Sequence, residues 1–208
     1  GPQGGGPHAF INGINSEALN DSSHTEAPHG YAINIRFDGQ WDFLGNLQSH
    51  NWKRNIRGGQ NGINFAYHNN YIWNWGKRLF HGGGDDPGLT LDWSSCVMED
   101  GQDTYLSTSG GDRGGLFDNR TVQCYFEDND YPSEMPALDS NVEYLSDPVN
   151  LPDGLSLADL KSPSELESFL TPVVGPRPAD RAPHEQRIDD DFTTRSGRII
   201  DHHSKVGG

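Results

Sequence analysis

Asp42-Phe43-Leu44-Gly45-Asn46-Leu47 is the stretch from which the fold is read: an apolar run is stopped by Gly and Asn and then resumes. The pattern recurs in Phe65-Ala66-Tyr67-His68-Asn69-Asn70-Tyr71-Ile72, in Leu89-Thr90-Leu91-Asp92-Trp93-Ser94-Ser95-Cys96-Val97 and in Val122-Gln123-Cys124-Tyr125-Phe126. With Asn46, Asn70, Ser95 and Cys124 taken as equivalent points, the spacings are 24, 25 and 29 residues. No helical period is sustained, and strands separated by turn residues at a period in the twenties are what a solenoid produces, each turn burying its apolar residues against its neighbours. The spacing therefore predicts a parallel β-helix. Asn46 and Asn70 either stack inside it, bonded through their amides, or simply make turns. Cys96 and Cys124 are too few for a disulfide scaffold or a four-Cys zinc site. They pair, or remain buried thiols that share one interior column.

Outward from this region the character changes at both ends. Gly1 to Ala9 is Gly- and Pro-rich and reads as a flexible remnant, residues 10–131 as the β-helix, and residues 132–208 as an irregular extension packing on it. Within the extension, Ser164 with Glu167 three residues on predicts a capping box and a short helix to Leu170, broken by Gly175-Pro176-Arg177-Pro178. The tail from Asp180 should pack back through Ile188, Phe192, Ile199 and Ile200. Among the aromatic residues, Trp73 and Trp75 fall on one face by alternation, and core packing suits them best.

The chain has 208 residues, only 32% of them hydrophobic, with no stretch of the roughly 18 apolar residues that a spanning helix needs. No membrane partner is expected. The formal net charge of −15 argues against a nucleic-acid partner. Residues 36–84 nevertheless hold Arg36, Lys53, Arg54, Arg57, Lys77 and Arg78 against only Asp38 and Asp42, whereas residues 101–208 carry nine basic and twenty acidic groups. A basic island in an acidic protein reads as a local anion site; the alternative is solvated surface charge.

Three clusters carry candidate chemistry: Ser16-Glu17-Ala18-Leu19-Asn20 with His24 and Pro28-His29-Gly30-Tyr31; Asn46-Leu47-Gln48-Ser49-His50-Asn51-Trp52-Lys53-Arg54-Asn55-Ile56-Arg57-Gly58-Gly59; and Asn69-Asn70-Tyr71-Ile72-Trp73-Asn74-Trp75-Gly76 with Lys77 and Arg78 following. In this order and spacing they resemble the secreted bacterial and fungal polysaccharide lyases related to pectate lyase. The C-terminal Val174-Gly175-Pro176-Arg177-Pro178, Arg187-Ile188 and Gly197-Arg198-Ile199-Ile200-Asp201 are similar to that group as well. The resemblance covers about three quarters of the chain.

The resemblance implies a right-handed parallel β-helix, secreted and monomeric, that cleaves a uronate-containing polysaccharide by β-elimination with the help of calcium. Loss of the proton beside a uronate carboxylate builds enolate-like charge, which fixed cations stabilise. By match to the family's Arg-x-Pro-Arg element, Arg54 abstracts the proton, although a guanidinium is a weak base. Arg57 clamps a carboxylate through its fork of donors, and Lys53 adds a third contact. His50 and His29 are the fallback bases. Trp52 either stacks on a sugar face or fills the interior, and Glu17 helps to hold calcium or substrate.

The chain departs from the family pattern at Ile56, where Pro is usual, and at Leu44-Gly45, where a His pair is usual. The family's acidic calcium ligands come mainly from rungs before Ser16-Glu17, so N-terminal rungs are expected to be missing, and the activity of this chain is open. One rival reading is a β-helical glycoside hydrolase using Asp85-Asp86, since that mechanism needs two carboxyl groups. The other is a non-catalytic β-solenoid that binds carbohydrate.

Overall fold

The computed structural model describes residues 7–21, 25, 29–35, 39–58, 63–82, 89–105, 122–133 and 142–206. In chain order the strands are β1 (His8–Ile11), β2 (Ile14–Ser16), β3 (Gly39–Leu44), β4 (Leu47–Ser49), β5 (Ile56–Gly58) and β6 (Ile63–His68). They continue with β7 (Tyr71–Trp73), β8 (Phe80–Gly82), β9 (Thr90–Ser94), β10 (Val97–Glu99), β11 (Val122–Glu127) and β12 (Val142–Tyr144). Helices α1 (Pro163–Leu170) and α2 (Pro183–Thr194) follow. The strands form three all-parallel sheets, in the orders β1-β3-β6-β9-β11-β12, β10-β7-β4-β2 and β5-β8.

The expected fold class, an all-β right-handed parallel β-helix with one short helix, is corrected by this arrangement. Three separate sheets that do not close on one another, with two α-helices against them, make a mixed, α/β-like assembly. Residues 183–194, read from sequence as part of a packing tail, are helical because Pro183 stands where a missing N–H costs nothing and the Glu185 carboxylate accepts the Ala182 N–H at 2.7 Å. The sheets stay separate because left-handed residues interrupt the ladders between them.

Those interruptions recur in register. Asn12, Gly45, Asn69, Ser95 and Asp128 have φ between 52° and 66°, each two residues before the chain enters or aligns with the four-stranded sheet. Asn, Asp and Gly tolerate this region best, which explains why turn-forming residues punctuate the apolar runs. Just beyond four of these five bends, a side chain repeats two bonds. Asn46 Oδ1 accepts the Gly13 N–H at 2.7 Å and its Nδ2 donates to the Phe10 carbonyl. Asn70 does the same for Asn46 and Phe43, and Asn129 for Cys96 and Trp93. Cys96 takes the same place with sulfur, its Sγ accepting the Asn70 N–H at 3.4 Å and reaching the Tyr67 carbonyl.

Asn46 and Asn70 are thus equivalent and bonded to each other, Asn46 Nδ2 donating to Asn70 Oδ1 at 2.8 Å. Their next partners are Cys96 and Asn129, where the sequence pointed to Ser95 and Cys124. Cys124 instead lies beside Leu91 in the six-stranded sheet, so the two cysteines occupy different columns, as free buried thiols.

Alternation along the four-stranded sheet divides the apolar residues. Ile72 and Met98 point into the main core with Phe43, Phe65, Tyr67, Leu91 and Trp93, while Leu47, Tyr71, Trp73 and Val97 point the other way. That outer face is covered by Leu166 and Leu170 of α1, by Val174 in the connection between the helices, and by Phe192 of α2. The left-handed residue Asn74 (φ 47°) reverses the facing between Trp73 and Trp75, so Trp73 lies under the helices and Trp75 in the main core. Both are buried, on opposite faces rather than on one.

The first helix begins two residues earlier than the sequence suggested. Ser162 precedes it, and the Glu165 carboxylate accepts from the Ser162 N–H and hydroxyl. At the end of α2, Arg195 (φ 54°) ties the helices to the sheet through Glu99 at 2.8 Å and Glu167 at 2.6 Å.

Candidate functional site

The two-stranded sheet is where the basic island lies. Its register pairs Ile56 with Phe80, Arg57 with His81 and Gly58 with Gly82, an offset of 24 residues. Backbone bonds carry the same offset upstream, the Lys77 N–H reaching the Trp52 carbonyl at 2.7 Å and the Ile56 N–H reaching Leu79. Asn51-Trp52-Lys53-Arg54 and Trp75-Gly76-Lys77-Arg78 therefore run side by side. Ile56, Leu79 and Phe80 enter the core, while Lys53, Arg54, Arg57, Lys77, Arg78 and His81 are half-buried. Neighbouring parallel strands stand about 5 Å apart, so this register sets two rows of basic side chains next to each other.

Aromatic rings border these cation rows. The Arg54 guanidinium lies 4.0 Å from the centroid of Tyr31, and the His29 ring packs 3.8 Å from the same centroid. Backbone pairing of Tyr31 with Lys53 fixes this stack. Lys77 Nζ stands 5.6 Å from the centroids of both Trp52 and Tyr105. Trp52 can lie there because its neighbour across the sheet is Gly76, where any Cβ would collide with the indole. Aromatic faces beside cations suit a ligand with sugar-like C–H faces and acidic groups.

Glu17 and His50 belong to a second neighbourhood, where strands β2, β4 and β7 turn beneath the C-terminal segment. Both occupy left-handed bends, with φ of 59° and 54°. Glu17 is 8% exposed, and both its oxygens bond the two Nη atoms of Arg187, which also reaches Asp191 at 3.2 Å. This pairing pushes the Arg187 guanidinium above its ordinary range. His50 is fully buried, and burial lowers its imidazole from the usual value, against the opposing pull of Glu17, Asp191 and Asp103. The amide of Asn74 fixes its tautomer. Asn74 Oδ1 accepts the Asp103 N–H at 2.8 Å, so Nδ2 faces His50 Nδ1, also at 2.8 Å, and the imidazole proton resides on Nε2. That nitrogen has no partner among the described residues and lies against Gly197.

The sequence-derived candidates thus divide. Arg54, Lys53, Arg57, Trp52 and His29 converge around the cation rows. His50 and Glu17 do not join them: His50 is sealed inside, which removes it as a fallback base, and Glu17 is locked in an ion pair. The residues present do not fit the expected calcium. Glu17 has both oxygens on a guanidinium, and the described residues contain no group of three His, Cys, Asp or Glu placed to hold a metal. Tyr31, Lys77, Arg78, His81 and Tyr105 also border the cation rows; the sequence reading names Tyr31, Lys77 and Arg78 without giving them a role, and does not name His81 or Tyr105. The signal for three of them was present: Lys53-Arg54-Asn55-Ile56-Arg57-Gly58 is echoed 24 residues on by Lys77-Arg78-Leu79-Phe80-His81-Gly82. His24 and the Asp85-Asp86 pair lie outside the described residues. No described helix is long and apolar enough to cross a membrane. Compared with protein-family models and with curated proteins, the sequence matches none.

Proposed function

We propose that the chain binds a uronate-bearing polysaccharide across its paired cation rows and cleaves it by β-elimination. The reading is carried by one observation, the register that sets Lys53-Arg54 beside Lys77-Arg78 and Arg57 beside His81. A uronate carboxylate lodged there is clamped by Arg57 and Lys53, which makes the neighbouring C–H more acidic and stabilises the enolate as it forms. The carbon–hydrogen electron pair becomes a carbon–carbon double bond while the bond to the glycosidic oxygen breaks, and that oxygen leaves with a proton taken from solvent. Arg54, matched to the family's proton acceptor, receives the proton. Because a guanidine is a base only when deprotonated, the rate should climb with pH well above neutrality. Polysaccharides of this kind are extracellular, which suits a secreted protein. Calcium is given no step.

The test is incubation with polygalacturonate while following the ultraviolet absorbance of the unsaturated product. Arg54→Ala should abolish the rise while costing about 1–2 kcal/mol of stability, the worth of a half-buried cation–ring contact. Elimination near the parent rate in that variant removes Arg54 from the mechanism. One observation favours a second reading. A guanidinium over the Tyr31 ring is well placed to hold charge and poorly suited to give up its proton, as a non-catalytic binding module would require. New reducing ends without absorbance would indicate a hydrolase, and retention of the polymer without either would indicate the binding module.

A further inference from the structure

A cavity of about 670 Å³ opens between the Trp52 indole and the C-terminal segment, within the range of ligand pockets. Its charged walls are paired internally. Glu17 and Asp191 hold Arg187, Asp103 holds Arg198 at 2.6 Å, and Asp201 holds Lys205 at 2.8 Å. Asp103 shows how complete the pairing is: burial would raise its carboxyl, but bonds from Arg198, the Ile199 N–H and Asn74 keep it below the ordinary value. A free anion or cation entering here would have to displace a partner from one of these pairs. A neutral polyol would not, because each hydroxyl both donates and accepts, matching carboxylate oxygens and guanidinium N–H groups at once. Trp52, Ile199 and Val206 supply the apolar surface against which a sugar's C–H face rests.

We propose that this cavity is a subsite for a neutral sugar, so that the polymer recognised is mixed, with uronates on the cation rows and a neutral residue or branch beside Trp52. The polymer part of this inference rests on the function proposed above. Trp52 links the two regions, since it lines the cavity and also faces Lys77.

The experiment is calorimetric titration of the whole chain with three uncharged tetramers, galactotetraose, arabinotetraose and xylotetraose, and with trigalacturonate as the anionic comparator. At least one neutral tetramer should bind saturably. Asp201→Ala and Lys205→Ala alter side chains that are about half exposed, 52% and 53%, so the fold is retained; each should weaken that binding at least tenfold. Arg54→Ala should bind the neutral tetramer as the parent does while losing trigalacturonate. The inference is overturned if none of the three tetramers binds, or if both cavity variants bind as the parent does. It is equally overturned if trigalacturonate competes for the neutral site and is weakened alongside it by Asp201→Ala. Absence of elimination, together with neutral binding that depends on Asp201, would sink the lyase reading and leave the subsite standing.

Discussion

Replacing Asn70 by Ala tests the physical account of the stacked bends. Asn70 is fully buried, its Oδ1 accepts both the Asn46 N–H at 3.0 Å and Asn46 Nδ2 at 2.8 Å, and its Nδ2 donates to the Phe43 carbonyl at 2.9 Å. Alanine leaves the buried Asn46 N–H and one hydrogen of Asn46 Nδ2 without an acceptor, the other staying on the Phe10 carbonyl, and removes one donor from the Phe43 carbonyl. At about 1–3 kcal/mol for each orphaned donor, the loss should be about 4 kcal/mol, a large share of the roughly 5–15 kcal/mol that holds a domain folded. Cys96→Ala is the internal control, because Cys96 fills the next place in the column but accepts only weakly, through sulfur at 3.4 Å. It should cost about 2 kcal/mol less. Urea unfolding followed by tryptophan fluorescence measures both, with the slope against denaturant expected to be unchanged. If Asn70→Ala lies within about 1 kcal/mol of the parent, or costs no more than Cys96→Ala, the column of side-chain bonds does not stabilise the fold as argued.

His68 is fully buried beside Ser94, and burial pulls its imidazole down to about 4. The unfolded chain therefore takes up the proton first as pH falls, and stability present above about 6.5 should decline by about 3 kcal/mol on the way to pH 4; His68→Gln should remove that share of the slope in urea midpoints. Phe192→Ala should cost about 3–5 kcal/mol by opening the contact of α2 with Tyr71 and Trp73, read as a lowered thermal midpoint with early loss of helical circular dichroism. Burial pushes the Cys96 thiol up to about 12 and Cys124 upward as well, so neither should react with iodoacetamide at pH 8 until the chain unfolds, when both should react together; labelling of the native protein would contradict their burial.

The local grammar of the chain was legible because it depends on near neighbours. Turn residues at Gly45-Asn46 and Asn69-Asn70 mark the bends since few side chains tolerate a left-handed backbone, and the 24-residue echo between those two runs is the register that the strands keep. The gathering of basic residues around Arg54 was likewise legible, because it is a matter of composition. Long-range packing decided what remained. Cys96, unlike Asn in composition, fills an asparagine's place because only its stacked neighbours reveal the column. Segment 183–194 becomes a helix, and the sheets stay open, because an outward face of Tyr71 and Trp73 needs a cover that strands do not provide. Glu17 resembled a metal ligand until Arg187, 170 residues away, was seen to occupy both its oxygens. Sequence alone determined where the backbone bends and where positive charge gathers, since bend preference and charge belong to single residues. Tertiary structure alone decided which cations lie side by side on neighbouring strands and which carboxylates hold a guanidinium, since that depends on partners brought together only by folding.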